Sequence, residues 1–446
     1  MKFFILLTTL FISNIILAQH TIKGVFTPAK SYTVLLLYKS APTLSDYVTN
    51  ATVKEDGSFE FVLDTSATKG MYKIVYAVPQ EDYNFDIIYN GKENIELSFN
   101  AETGVKHLSS SENKLLSTYT ADMLAITHNI TAFYKDKKGK QKTLASIFKT
   151  QRETQEKFEK LAQGTIALNF IKANKPYIPT GYQEAKTYIK NLETHYFDHV
   201  DFTNETLQSS NFLEERMLNY IFGITNDNLS EDANYKANID AFCKAMQQAP
   251  TPTKRVLLVS LWQQFSDLKQ ETIANYIAER YLITIAKTLK DNQLIEALSL
   301  YKRISLGEKA PDFSFEIENK KDEKPITTKL SALNTAKYYV VLFWSSTCSH
   351  CLTEVPKVEQ YIKTQSKGKV KVVAVGLEDE PYAWKSLTYD FPDFIHVYGQ
   401  GKWDNQIGNN YGITSTPTYF VLDKDKHIIA KPESLEALKS VLNSVN

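Results

Sequence analysis

The chain has 446 residues, of which 43% are hydrophobic, 12% aromatic and 23% charged, with 51 basic and 51 acidic side chains that cancel. At ~150 residues per domain this length suggests about three domains with ordinary cores, which excludes a collagen-like, low-complexity or wholly disordered chain. The lack of a basic surplus argues against a nucleic-acid partner, and three cysteines are too few for a disulfide scaffold and cannot all pair within the chain.

Lys2 is followed by an apolar run from Phe3 to Ala18, broken only by Thr8, Thr9, Ser13 and Asn14. The run suits the core of a secretory signal and falls short of a ~20-residue membrane span. Segment 1–18 is therefore expected to direct export to the periplasm or cell envelope, with cleavage after Ala18. The alternative is an uncleaved helix that anchors the protein in the inner membrane, its only membrane contact. No cysteine near the cut invites a lipid anchor. No later stretch is apolar enough to span, and an exported compartment lets disulfides persist.

Residues 19–105 read as strands. Thr33 to Tyr38 and Tyr72 to Tyr76 are rich in β-branched and aromatic residues. Asp56-Gly57 and Asn90-Gly91 sit between such runs, as hairpin turns do. A small antiparallel β-sandwich is expected. From 106 to 303 the period becomes helical: Leu258, Leu261, Trp262, Phe265 and Leu268 fall on one face. Polar breaks at Lys135 to Lys142 and Ala249 to Thr253 separate helical blocks, and no fixed period supports a solenoid.

Residues 304–446 alternate strand and helix, as an α/β layer does. Tyr338 to Phe343 is a continuous apolar run, expected for a central strand buried on both faces. Val370 to Val375 and Thr418 to Leu422 are two more strands, and a helix from Ser434 to Leu442 closes the chain.

The chemistry is concentrated in Cys348-Ser349-His350-Cys351, directly after the central strand and the polar turn Ser345-Ser346-Thr347. If the pair opens a helix, unpaired N–H groups and the positive helix end favour a thiolate at the first cysteine. Two intervening residues place the second sulfur one turn along, within disulfide reach. Cys348 then reads as the exposed nucleophile and Cys351 as the resolving thiol. A bare CxxC also fits half of a zinc site or a static bridge. Zinc requires two further ligands at finger spacing, which the sequence lacks, so no metal is expected.

Around the pair stand Trp344, Pro356, and Thr416-Pro417 within Gly412 to Thr418. Together these resemble the active site of a thioredoxin fold. Cys348-x-x-Cys351-x-x-Glu354-x-Pro356 and the entry segment Gly307 to Phe313 resemble the TlpA/ResA-like extracytoplasmic thiol–disulfide oxidoreductases. The upstream β and helical regions resemble, more weakly, extensions found on exported members. The resemblance implies that Pro417 is a cis-proline beside the cysteines. It implies that Thr416 pairs with an extended substrate segment, and that Glu354 relays the proton of Cys351 and tunes the pair. His350 occupies the position that in DsbA-like oxidising members stabilises the reduced form, so His350 and Trp344 are candidate tuning residues. Thioredoxins proper carry a buried Asp six residues before the first Cys, where this chain has Leu342.

Other features read as structural. His195 and His199 could share a helix face but lack an HExxH pattern and read as a surface pair. Cys243 reads as a buried apolar residue, and Glu378-Asp379-Glu380 as an acidic loop at the edge where α/β sites form.

The expected protein is multidomain and exported. A β-sandwich and an all-α region precede a thioredoxin-like domain that reduces disulfides in envelope proteins, with the Cys348–Cys351 disulfide in place of a cofactor. A membrane electron donor would complete the cycle. The alternatives are a thiol oxidase or isomerase, a peroxiredoxin-like peroxide reductase, or a non-catalytic envelope binding protein. In the peroxiredoxin pattern Ser345 fits but Val341 replaces the proline.

Overall fold

The computed structural model describes residues 20–136, 140–317 and 325–445. The signal-like segment 1–18 and part of the Lys135 to Lys142 break lie outside them. The chain divides into two compact units, with the division between Leu261 and Trp262.

The first unit opens with two four-stranded sheets whose apolar residues alternate inward and share one core around Phe26, Leu37, Phe61, Ile74, Ile87 and Leu97. Its turns differ from the hairpin expectation. Asp46–Thr52 pairs with Val34–Lys39, whereas Ser58–Val62 pairs with Thr21–Thr27, so the Asp56-Gly57 turn carries the chain from one sheet to the other. Asn90-Gly91 does the same between Asn84–Tyr89 and Ile95–Asn100. Gly57 holds φ +83°, and a Cβ there would meet the Phe26 carbonyl, so the tight turn is real although the strands it joins do not pair. Because the chain alternates between sheets, Thr21–Thr27 and Ile95–Asn100 meet side by side in parallel.

Helices follow, from Ser111–Lys135 to Thr251–Asp267. On the last, Leu258, Leu261 and Phe265 are fully buried, but Leu268 is 55% exposed because the helix stops at Asp267 and Lys269 turns left-handed. His195 and His199 share no helix face. The helix Ala185–Thr194 ends just before His195, whose ring stacks on Tyr177 and meets Asp198 at 2.6 Å. Cys243 is half-buried in the helix Glu231–Ala245.

In the second unit a five-stranded sheet runs in the spatial order Ile395–Gln400, Val370–Glu378, Tyr338–Trp344, Thr418–Leu422, Ile428–Ala430. The first three are parallel and the last two antiparallel to their neighbours. The central strand is buried on both faces. Tyr339, Val341 and Phe343 point into a core with Phe313, Tyr411 and Phe420. Val340, Leu342 and Trp344 point into another with Val355, Val358, Tyr419 and Leu438. That accounts for a run without polar alternation.

The helices Glu271–Ile277 and Asn292–Arg303 belong to this unit as well. The Glu271 carboxylate accepts from Leu306 N–H at 2.6 Å and pairs with Lys431. Asn275 donates to Ser305 Oγ at 2.9 Å, and Arg303 reaches Asn410 at 3.4 Å. Gly412, at φ +64°, leaves its Cβ position against Leu300 and Ile304. Among the described residues no helix is long and apolar enough to cross a membrane, and no three metal-ligating side chains converge.

Candidate active site

The turn after the central strand is built from its own side chains. Ser345 Oγ lies 3.0 Å from Thr347 Oγ1 and accepts from Thr347 N–H at 3.2 Å, while Cys348 N–H donates to the Ser345 carbonyl at 3.2 Å. Short hydroxyl side chains favour such local turns over continued strand. Cys348 then caps the helix Ser349–Lys363: its backbone is extended and its Sγ accepts from Cys351 N–H at 3.1 Å. The sulfur therefore sits on the positive end of the helix, where a thiolate is favoured.

Cys348 and Cys351 form a disulfide, with Cα atoms 5.2 Å apart. Cys348 is half-buried and Cys351 fully buried, so one sulfur is open to a partner and the other faces the core. The Thr416 carbonyl oxygen lies 3.4 Å from Cys348 Sγ, and the following Thr416–Pro417 peptide is cis. Both residues are half-buried beside the sulfur. Pro356 removes the helical donor for the Leu352 carbonyl one turn beyond Cys351.

Glu354 is buried and meets three donors. Oε1 accepts from Tyr419 O–H at 2.6 Å and from Leu435 N–H at 3.0 Å, and Oε2 lies 2.8 Å from His350 Nε2. Burial, reinforced by the carboxylate it serves, pushes the Tyr419 phenol far above its ordinary range. His350 is thus turned one helical turn along its own helix toward Glu354, with its side chain 71% exposed. Leu342, where thioredoxins proper have a buried Asp, lies in the same core cluster as Cys351, Tyr419 and Leu435. The buried carboxylate near Cys351 is supplied by the helix rather than the strand. Trp344 is buried in that cluster too, edge-on to Phe391, with no partner for Nε1 among the described residues.

Residues 305–437 match the Redoxin family. The thiol–disulfide oxidoreductase ResA of Bacillus thuringiensis subsp. konkukian is 30% identical over 154 residues, which cover 32% of this chain and 80% of that protein. The chain belongs to the ResA-like thiol–disulfide oxidoreductases of the thioredoxin superfamily. The thioredoxin-like protein YneN of Bacillus subtilis is 32% identical over 130 residues, covering 27% of this chain and 67% of its own. Among solved structures, a thioredoxin-like protein from Bacteroides caccae is 17% identical and covers 61% of this chain and 98% of its own, with a TM-score of 0.32. As a ResA-like enzyme the protein is a thiol–disulfide oxidoreductase, of a superfamily whose electrons are carried on a disulfide rather than a cofactor.

Three residues of this ResA-like site escaped sequence reasoning. Tyr419 reads as one more aromatic in an apolar strand, yet its hydroxyl holds Glu354. Glu378 reads as part of an acidic loop but is buried at the end of its strand, and its Oε1 accepts from Ser346 N–H in the turn before Cys348. A carboxylate closing the apolar run Val372 to Leu377 is the signal that could have found it. Lys402, far along the chain, donates to Thr347 Oγ1 at 3.2 Å.

Proposed function

We propose that this protein is an exported disulfide reductase acting on protein substrates of the cell envelope. The observation that carries the reading is the pairing of a half-open Cys348 with a buried Cys351 beside the Thr416–Pro417 backbone. In the reduced enzyme the Cys348 thiolate attacks one sulfur of a substrate disulfide, and the other substrate sulfur leaves as a thiolate. Cys351 then loses its proton and attacks Cys348 Sγ, which releases the second substrate thiol and leaves the enzyme disulfide. Glu354 would take that proton, and Thr416 would pair with the substrate backbone. Two electrons from a membrane donor must restore the dithiol. The apolar segment 1–18 supports export.

The orientation of His350 toward Glu354 supports a reductase over an oxidase, because its Nε2 is held 2.8 Å from that carboxylate. The test is the reduction potential of the Cys348–Cys351 pair, measured together with turnover of Cys348→Ser. A potential near about −270 mV, and loss of turnover in a folded variant, fit a reductase; a value near about −120 mV would make the enzyme an oxidase.

A further inference from the structure

The turn that presents Cys348 is touched from the side by a residue with no part in the scheme above. Lys402 begins the short helical turn Lys402–Asp404, directly after Gly401. Both residues hold left-handed backbone, at φ +89° for Gly401 and +46° for Lys402. Glycine adopts this freely, whereas a lysine does so against a steric cost that surrounding contacts must offset. Those contacts are present: Gly401 N–H donates to the Glu378 carbonyl at 2.9 Å, and Asp404 N–H to the Gly401 carbonyl at 2.8 Å. The result is a side chain aimed at the active-site turn, with its ammonium on the hydroxyl of Thr347, the residue immediately before Cys348.

The other charges that face this turn are already engaged. Glu378 spends an oxygen on Ser346 N–H. His350 and Glu354, on the helix that Cys348 caps, face each other. The Thr416–Pro417 loop contributes a carbonyl and no charge. Lys402 pairs with no carboxylate among the described residues.

We infer that Lys402 is a positioning residue that stabilises the thiolate of Cys348, an inference that rests on Cys348 being the attacking thiol. When two electrons and one proton from solvent open the disulfide, the product is a Cys348 thiolate and a Cys351 thiol. A cation held on the neighbouring Thr347 lowers the free energy of the thiolate and adds to the field of the helix end. More of the reduced enzyme is then ready to attack near neutral pH, and the pair is a milder reductant than it would be without the cation.

The experiment uses the full chain with Cys243→Ser and Cys351→Ala, so that only Cys348 reports, and follows its thiolate by ultraviolet absorbance and by iodoacetamide alkylation against pH. Lys402→Met should raise the Cys348 pKa by roughly half a unit and slow alkylation below that pKa about threefold, while Lys402→Arg restores both. In the Lys402-containing protein the pKa should rise as salt approaches about 1 M. An unmoved pKa in folded Lys402→Met overturns the inference. If that variant does not fold, an unmoved pKa across the salt series overturns it as well. Iodoacetamide labelling of Cys351 in place of Cys348 in the reduced parent chain would instead overturn the proposed function.

Discussion

Glu354 offers the sharpest test, because two substitutions separate its structural part from its chemical one. Its Oε1 is the acceptor for both the Tyr419 hydroxyl and the Leu435 N–H, and both residues are buried. Glu354→Ala strands two donors, at ~1–3 kcal/mol each, for a loss of about 4 kcal/mol. Glu354→Gln keeps a carbonyl oxygen for the pair and should cost less than about 1 kcal/mol. With a urea slope of about 2 kcal/mol/M, the unfolding midpoint drops by about 2 M for Ala and by less than about 0.5 M for Gln. The assay is convenient, since all four tryptophans (Trp262, Trp344, Trp384 and Trp403) lie in the unit that starts at Trp262. The two variants should diverge the other way in chemistry. Glutamine cannot accept the proton of Cys351, so resolution of the mixed disulfide should slow by about 10²-fold, the low end for a general base. Acid-quenched mass spectrometry during turnover of a model disulfide would show the mixed species accumulate. Resolution by Glu354→Gln at the parent rate would refute the relay, and a Gln variant as unstable as Ala would refute the hydrogen-bond account.

Three further outcomes are expected. Gly376→Ala places a methyl within 2.0 Å of the Trp384 ring nitrogen on a strand paired with Trp344, so overpacking should cost ~1–3 kcal/mol in the fluorescence-detected melt; an unchanged melt would mean that Trp384 moves freely. Burial holds the His107 imidazole down to about 4, against ~6.5 when unfolded. The unfolded chain takes that proton first, so the stability His107 allows is complete above about pH 6.5 and falls, by of order 2 kcal/mol, as pH drops toward 4. Hydrogen-exchange protection factors in strand Gly104–His107 should fall over that window, and should not in His107→Leu. Glu271→Ala removes the partner of Lys431 and of Leu306 N–H, and should lower the thermal midpoint of the tryptophan-bearing unit by about 4 °C, from a loss of ~1–2 kcal/mol; an unmoved midpoint would show that the clasp contributes nothing.

What could be read from the sequence was whatever a short window encodes. The apolar run Tyr338 to Phe343, the hydroxyl turn and the cysteine spacing each state a local preference, and the fold keeps all three. Turn chemistry is local and its topological consequence is not. Asp56-Gly57 does turn sharply, but a turn does not say which sheet receives the next strand; that is decided by which faces bury Phe59 and Phe61. The partners of the cysteines were least legible. Tyr419, Glu378 and Lys402 lie tens of residues from Cys348 and are brought to it by strand order, which no local pattern records. Leu342 illustrates the limit: the missing strand carboxylate was visible, but that Glu354 sits in the same core had to be seen in three dimensions.

The helix Asn292–Arg303 carries a consequence for modularity. Leu300 and Ile304 rest against Gly412, and Arg303 reaches Asn410, a few residues before Thr416. The family match begins at residue 305, just past that helix. The border of the family match is therefore not the border of the compact unit. A fragment cut at 305 would keep both cysteines yet lose the scaffold behind its Thr416 loop, and it would present apolar surface where the helix had been. Grafting the enzyme onto another carrier with that backing kept means carrying the helix along.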